Sequence, residues 1–76
     1  MFKYARLEPY PDCTGFAIIE HRTNRHVGEV IRKKQGGYEV YIRGRLIGEG
    51  SSSWEACYLA DNYLAHVGSP QKKRKR

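Results

Sequence analysis

Cys13, His21, His26 and Cys57 are a set of side chains that could be drawn as a zinc site. No Cys-x2-Cys or His-x3-His pair occurs among them, and structural zinc sites are built on such pairs. The spacing therefore predicts no metal centre, and nothing else in the chain predicts a cofactor. No carboxylate pair marks an acid–base site, and no set of serine, histidine and aspartate suggests a nucleophile. A chain of 76 residues also lacks the size for a deep pocket. Catalysis is not expected. The run Gly48-Glu49-Gly50-Ser51-Ser52-Ser53 leads into a helix start, whose free N–H groups can hold a phosphate. It lacks the lysine of a P-loop, and Glu49 and Glu55 would repel an anion, so helix capping explains it better.

The chemistry that remains is that of cations and aromatic rings. Five of the fourteen basic residues are Lys72, Lys73, Arg74, Lys75 and Arg76, so the formal charge of +6 overstates the charge of the body. Within the body the charge is polarised. Residues 22–45 hold Arg22, Arg25, Arg32, Lys33, Lys34, Arg43 and Arg45 against Glu29 and Glu39, a net +5; residues 46–68 hold Glu49, Glu55 and Asp61 and no lysine or arginine. Polyanions approach the basic part of such a dipolar surface. The competing reading is that these cations are ordinary solvated side chains or strand-edge protection.

These residues must be positioned by one small domain, expected over residues 1–68, with 69–76 as a disordered basic tail that has no apolar residue beyond Pro70. The longest apolar run is four residues, Phe16 to Ile19, far short of a membrane-spanning helix. The opening Met1-Phe2-Lys3-Tyr4-Ala5-Arg6 lacks the form of a signal peptide. Together these predict a soluble, cytoplasmic protein with free thiols.

Strands are predicted at 15–22, 26–34 and 38–43, with a short fourth at 45–49. Residues 2–8 could form a further short strand, but their alternation is imperfect. Tyr38, Val40 and Ile42 alternate cleanly with Glu39, Tyr41 and Arg43, the mark of a strand with one buried and one wet side. Thr23-Asn24-Arg25, Gln35-Gly36-Gly37 and Arg43-Gly44 supply the turns. From Ser53 to Val67 the period becomes helical, with Ala56, Leu59, Ala60, Tyr63, Leu64 and Val67 on one stripe bordered by Cys57, and with Glu55, Tyr58, Asp61 and Asn62 opposite. Ser52 and Glu55 match a capping box, and Gly68 and Pro70 mark the stop. The expected fold is α+β: an antiparallel sheet of three to four strands with one C-terminal helix across one face.

The uncovered sheet face is then the candidate site. Tyr41 and Arg43 point outward, joined by Arg32 and Lys34, or by Lys33 in the opposite register, with Arg22, Arg25 and Arg45 at turns. Arginine forks suit phosphates and guanine edges, and Tyr41 could stack on a base. The plainer alternative pairs Tyr41 and Arg43 with Glu39 and Glu29 in an exposed ladder. Trp54 falls off the core stripe. Folding over the sheet edge is the preferred placement; the other leaves Trp54 and Tyr58 as an exposed aromatic pair suited to a protein contact.

Gly37-Tyr38-Glu39-Val40-Tyr41-Ile42-Arg43-Gly44, then Gly48-Glu49-Gly50-Ser51, Glu55-Ala56 and Leu59-Ala60, resemble two families over residues 15–67. One is the C-terminal half of double-stranded-RNA-binding domains. The other is the arm-type DNA-binding domain of phage and transposon integrases, three strands and a helix related in shape to AP2 domains. The chain departs from the first in lacking a leading helix and in carrying Ser53, Trp54 and Glu55 where that family has lysines. The second resemblance implies a sheet seated in the DNA major groove, through Arg32, Lys34, Tyr41 and Arg43. The expectation is a small non-catalytic protein of phage or mobile-element type that binds duplex DNA through its open sheet face and its basic tail. A protein-interaction module using Trp54, Tyr58 and the acidic helix face is the alternative, and a homodimer with paired sheets a third. The tail by itself also fits a nuclear import signal or a solubility device.

Overall fold

The structure, a computed structural model, describes residues 2–67. The predicted helix stop at Gly68 and Pro70 and the predicted tail Lys72 to Arg76 lie outside the described residues. Five strands, β1 (Ala5–Pro9), β2 (Gly15–Glu20), β3 (Arg25–Arg32), β4 (Tyr38–Ile42) and β5 (Arg45–Gly50), precede one helix, α1 (Ser53–Val67). The strands form a single antiparallel meander in sequence order. The sheet thus has one strand more than the three to four expected. The additional strand is β1, where Ala5, Leu7 and Pro9 alternate with Arg6 and Glu8. Reading from Phe2 hides that alternation, because Phe2 and Tyr4 are out of phase with Ala5 and Leu7. Pro9 is tolerated because β1 is an edge strand and needs only one set of ladder hydrogen bonds.

The turns follow from the residues that tolerate positive φ. Asn24 (φ 60°) closes the β2–β3 loop, Gly36 and Gly37 make the β3–β4 turn, and Arg43 (φ 54°) with Gly44 (φ 79°) makes a two-residue β4–β5 turn. Positive φ at both central positions is the type I′ geometry that matches strand twist. Register slips between Ile18 and Ile19, opposite β3, and between Val40 and Tyr41, opposite β5, add bulges that bend the sheet.

The core lies between the bent sheet and the helix. Ile18, Val30, Val40 and Ile42 are fully enclosed by Ala5, Ala56, Ala60 and Leu64, with Leu7, Phe16, Tyr38, Leu59 and Tyr63 at the margin. Glycines on β5 let α1 approach closely: Leu59 sits against Gly48, and the start of α1 sits against Gly50. The same helix meets the opposite edge at β1. Asp61 Oδ1 accepts the backbone N–H of Tyr4 at 2.6 Å and of Ala5 at 3.1 Å, and the Cys57 thiol faces the Ala5 carbonyl at 3.8 Å. One helix therefore touches both edge strands of a curled sheet.

The N-terminus of α1 is capped as the sequence predicts, with one difference. Ser52 Oγ accepts the N–H of Glu55 at 3.1 Å, and the Ser52 carbonyl accepts the N–H of Ala56. The Glu55 carboxylate reaches past the cap to Ser51, accepting its N–H at 2.5 Å and its hydroxyl at 2.9 Å. These two bonds hold the Glu55 carboxyl below the ordinary glutamate range.

Candidate functional site

Strand register decides which side chains share the uncovered sheet face. One row across it runs Glu8, Ala17, Glu29, Tyr41 and Leu46; the next runs Ile31, Glu39 and Glu49; a third holds Arg6, Ile19 and His26. Arg32 pairs with Tyr38, in phase with Val30 and Val40, so it lies on the helix side of the sheet. Lys34 lies in the β3–β4 turn. The expected group of Arg32, Lys34, Tyr41 and Arg43 on one face is therefore not formed. The alternative register, with Lys33 outward, is the one adopted: Lys33 Nζ meets Glu49 Oε1 at 3.0 Å.

This face is not basic. Four glutamates, Glu8, Glu29, Glu39 and Glu49, accompany Arg6, Lys33 and Arg43. Arg6 is paired with Glu8 at 3.1 Å and also donates to Asn24 Oδ1 at 2.8 Å. Tyr41 donates its hydroxyl to Glu39 at 3.0 Å, and that bond is the main cause of its raised pKa. Likewise the bond to Glu49 raises the pKa of Lys33. The plainer exposed ladder is thus the arrangement adopted around Tyr41. A shallow groove of about 520 Å³ runs over this face, lined by His26, Ile31, Glu39, Tyr41 and Arg43 among others.

The exposed aromatic surface lies elsewhere. Trp54 does not fold over the sheet edge, as preferred from the sequence; it remains 65% exposed, and Tyr58 is 49% exposed. One helical turn separates them, and their rings stack with centroids 5.8 Å apart and 6° between planes. Phe2 adds a third ring, 5.5 Å from Trp54 and tilted by 53°. The Trp54–Tyr58 pair is legible on a helical wheel. Phe2 is not, because tertiary contacts, the anchoring of Tyr4 and Ala5 on Asp61 and the packing of Ala5 in the core, bring the start of the chain to α1. Beside this platform a smaller cleft of about 340 Å³ is lined by Phe2, Ala5, Arg6, Leu7, His21 and Cys57.

Arg22, Arg25, Arg43 and Arg45 lie at the β2–β3 loop and the β4–β5 turn, at one end of the sheet. Cys13 is exposed and Cys57 buried, and both are free thiols. Burial pushes the Cys57 thiol up, with Asp61 adding to it. Among the described residues no three histidine, cysteine, aspartate or glutamate side chains are gathered to hold a metal ion. No helix among them is long and apolar enough to cross a membrane.

No family model, curated protein or solved structure matches this chain. The α+β sheet-and-helix fold and the two surfaces described are what the functional reading rests on.

Proposed function

We propose that this chain is a non-catalytic protein-interaction module whose docking surface is the aromatic platform Phe2, Trp54 and Tyr58 with the cleft beside it. The observation that carries this reading is the exposure of Trp54, held at 65% while stacked on Tyr58. A tryptophan left in water forgoes about 1.5–3 kcal/mol of burial, which association with a partner recovers. Stacking fixes the ring orientation beforehand, so little side-chain entropy is lost on binding. Tryptophan and tyrosine are also the residues that dominate interface energetics, especially beside a cleft that accepts a partner side chain.

The duplex-DNA reading through the open sheet face loses its support in the charge of that face, where glutamates outnumber cations and two of the cations are already paired. Of the four residues that the resemblance to integrase arm domains implies, only Tyr41 and Arg43 lie on that face, since Arg32 is on the helix side and Lys34 is in the β3–β4 turn.

The test is photocrosslinking in cells with a benzophenone amino acid replacing Tyr58. The reading expects one discrete adduct that Trp54→Ala removes and that substitutions on the sheet face leave in place. No discrete adduct, or an adduct indifferent to Trp54→Ala, overturns it. An adduct of twice the chain mass assigns the platform to self-association.

A further inference from the structure

The geometry points to the end of the sheet built from the β2–β3 loop and the β4–β5 turn as a contact surface for the phosphate backbone of nucleic acid. This surface adjoins the cleft of the aromatic platform at His21 but uses other residues and does not depend on it.

Arg25 opens β3, Arg43 follows β4 as the first residue of the β4–β5 turn, and Arg45 opens β5, so three arginines come to the same end of adjacent strands. The Arg43 N–H bonds the Val27 carbonyl, which leaves Arg25 two residues further out along β3. Arg45 pairs with Ile42, whose side chain is in the core, whereas Arg43 lines the groove on the opposite face. The cations therefore surround the sheet end instead of sitting on one side. Neighbouring strands are about 4.8 Å apart, so the three guanidinium groups are spread over roughly 10 Å of backbone before side-chain length is added. That is wider than a single phosphate and suits successive phosphates of a strand. Arg22 lies in the adjoining loop, and Glu20, the acidic residue opposite Arg25 in the register, accepts the Thr23 hydroxyl at 2.7 Å.

The second observation is how the ion pairs are distributed. Arg6 and Lys33 are held by Glu8 and Glu49. Among the described residues Arg25, Arg43 and Arg45 are in no ion pair with a carboxylate. A guanidinium without a carboxylate partner can replace condensed counterions along a phosphate backbone without first breaking a bond, and its planar fork donates two hydrogen bonds to one phosphate. Arg43 adopts positive φ in the type I′ turn, where glycine or asparagine is the common choice.

The experiment is a fluorescence anisotropy titration of the full chain against a labelled duplex and a labelled single strand of equal length, between 50 and 200 mM salt. The triple variant Arg25→Gln, Arg43→Gln, Arg45→Gln is expected to bind both probes about tenfold or more weaker, and to flatten the plot of log K against log salt by about two to three for the duplex. The lysine counterpart at the same three positions restores that slope. Arg32→Gln with Lys34→Gln, at the other end of the sheet, leaves affinity within about twofold of the parent. Circular dichroism establishes that each variant is folded, and any unfolded one is replaced by the single changes Arg25→Gln and Arg45→Gln, each costing about one phosphate of slope. Equal losses for the two ends, a loss confined to a variant neutralised at Lys72, Lys73 and Arg74, or no binding by the parent chain at 50 mM salt overturns the assignment. Competition by polyglutamate as effective as by duplex assigns the surface to an acidic protein instead, and also overturns it.

Discussion

Asp61 holds the start of β1 to the middle of α1: its Oδ1 accepts the N–H of Tyr4 at 2.6 Å, and the next N–H, of Ala5, reaches the same atom. On a helical wheel Asp61 belongs to the polar side, opposite the core stripe. In the folded chain it satisfies two backbone donors that no neighbouring strand reaches, because β1 is the edge of the sheet. Removing the carboxylate leaves both donors without a partner. Asp61→Ala is expected to cost about 1.5–3 kcal/mol in urea denaturation, and Asp61→Asn less because its amide oxygen still accepts. A loss under about 0.5 kcal/mol would mean the edge strand is held by packing alone.

Glu55 gives the molecule an acid-sensitive helix start. Its pKa is lower in the folded chain than in the unfolded one, through the two bonds from Ser51. Such a group stabilises fully above its unfolded pKa, and the contribution disappears as pH falls through the folded value. Glu55→Gln should therefore lower Tm at pH 7, and the gap between variant and parent should close on acidification below about pH 4. Thermal melts at several pH values check this; a gap constant with pH would contradict the role given to the charge.

Gly28 is required by close approach. A methyl group there would overlap the Tyr41 carbonyl oxygen and lie 2.9 Å from Ile42 Cα, both of them backbone atoms of β4. Neither can yield without opening the β3–β4 ladder. Gly28→Ala should destabilise by about 1–3 kcal/mol or more, as overpacking does in a filled interior. Gly36→Ala, which meets no neighbouring atom but has φ 103°, tests the separate cost of backbone strain.

The two thiols should differ in reactivity by orders of magnitude. Cys13 is exposed in a loop, whereas Cys57 is buried against β1 with its pKa raised by desolvation. Because the thiolate is the reactive form, Cys57 is both harder to reach and less ionised. Titration with a disulfide reagent in the native state should show one fast thiol that Cys13→Ser removes, and a second released only on unfolding. Two fast thiols would mean that α1 leaves β1 readily.

Trp54 fluorescence should report a solvated indole, readily quenched by acrylamide, and Trp54→Ala should leave the urea midpoint nearly unchanged because the ring closes no part of the core. A loss of more than about 1 kcal/mol would place Trp54 among the structural residues.

Much of the architecture was set by local chemistry. The alternation from Tyr38 to Ile42, the turn residues Asn24, Gly36-Gly37 and Arg43-Gly44, and the capped helical stripe from Ser53 to Val67 are each decided within a few residues, by side-chain period and by which residues accept positive φ. The open face was not legible in the same way. Whether Lys33 or Arg32 points outward changes with a shift of one residue in register, and register is set by which neighbours fill the core, Val30 against Val40 and Phe16. The cations that looked like one basic face in the linear chain are therefore divided between two faces and one end. The aromatic platform was half legible: i, i+4 spacing pairs Trp54 with Tyr58, but Phe2 joins them through long-range contacts, among them Asp61, 57 positions away from Tyr4, which anchors the start of the chain. Spacing along the chain determined which elements form and where they end. Only long-range packing decided which charges and rings those elements present together, because a sheet or helix has two sides and the core claims one of them.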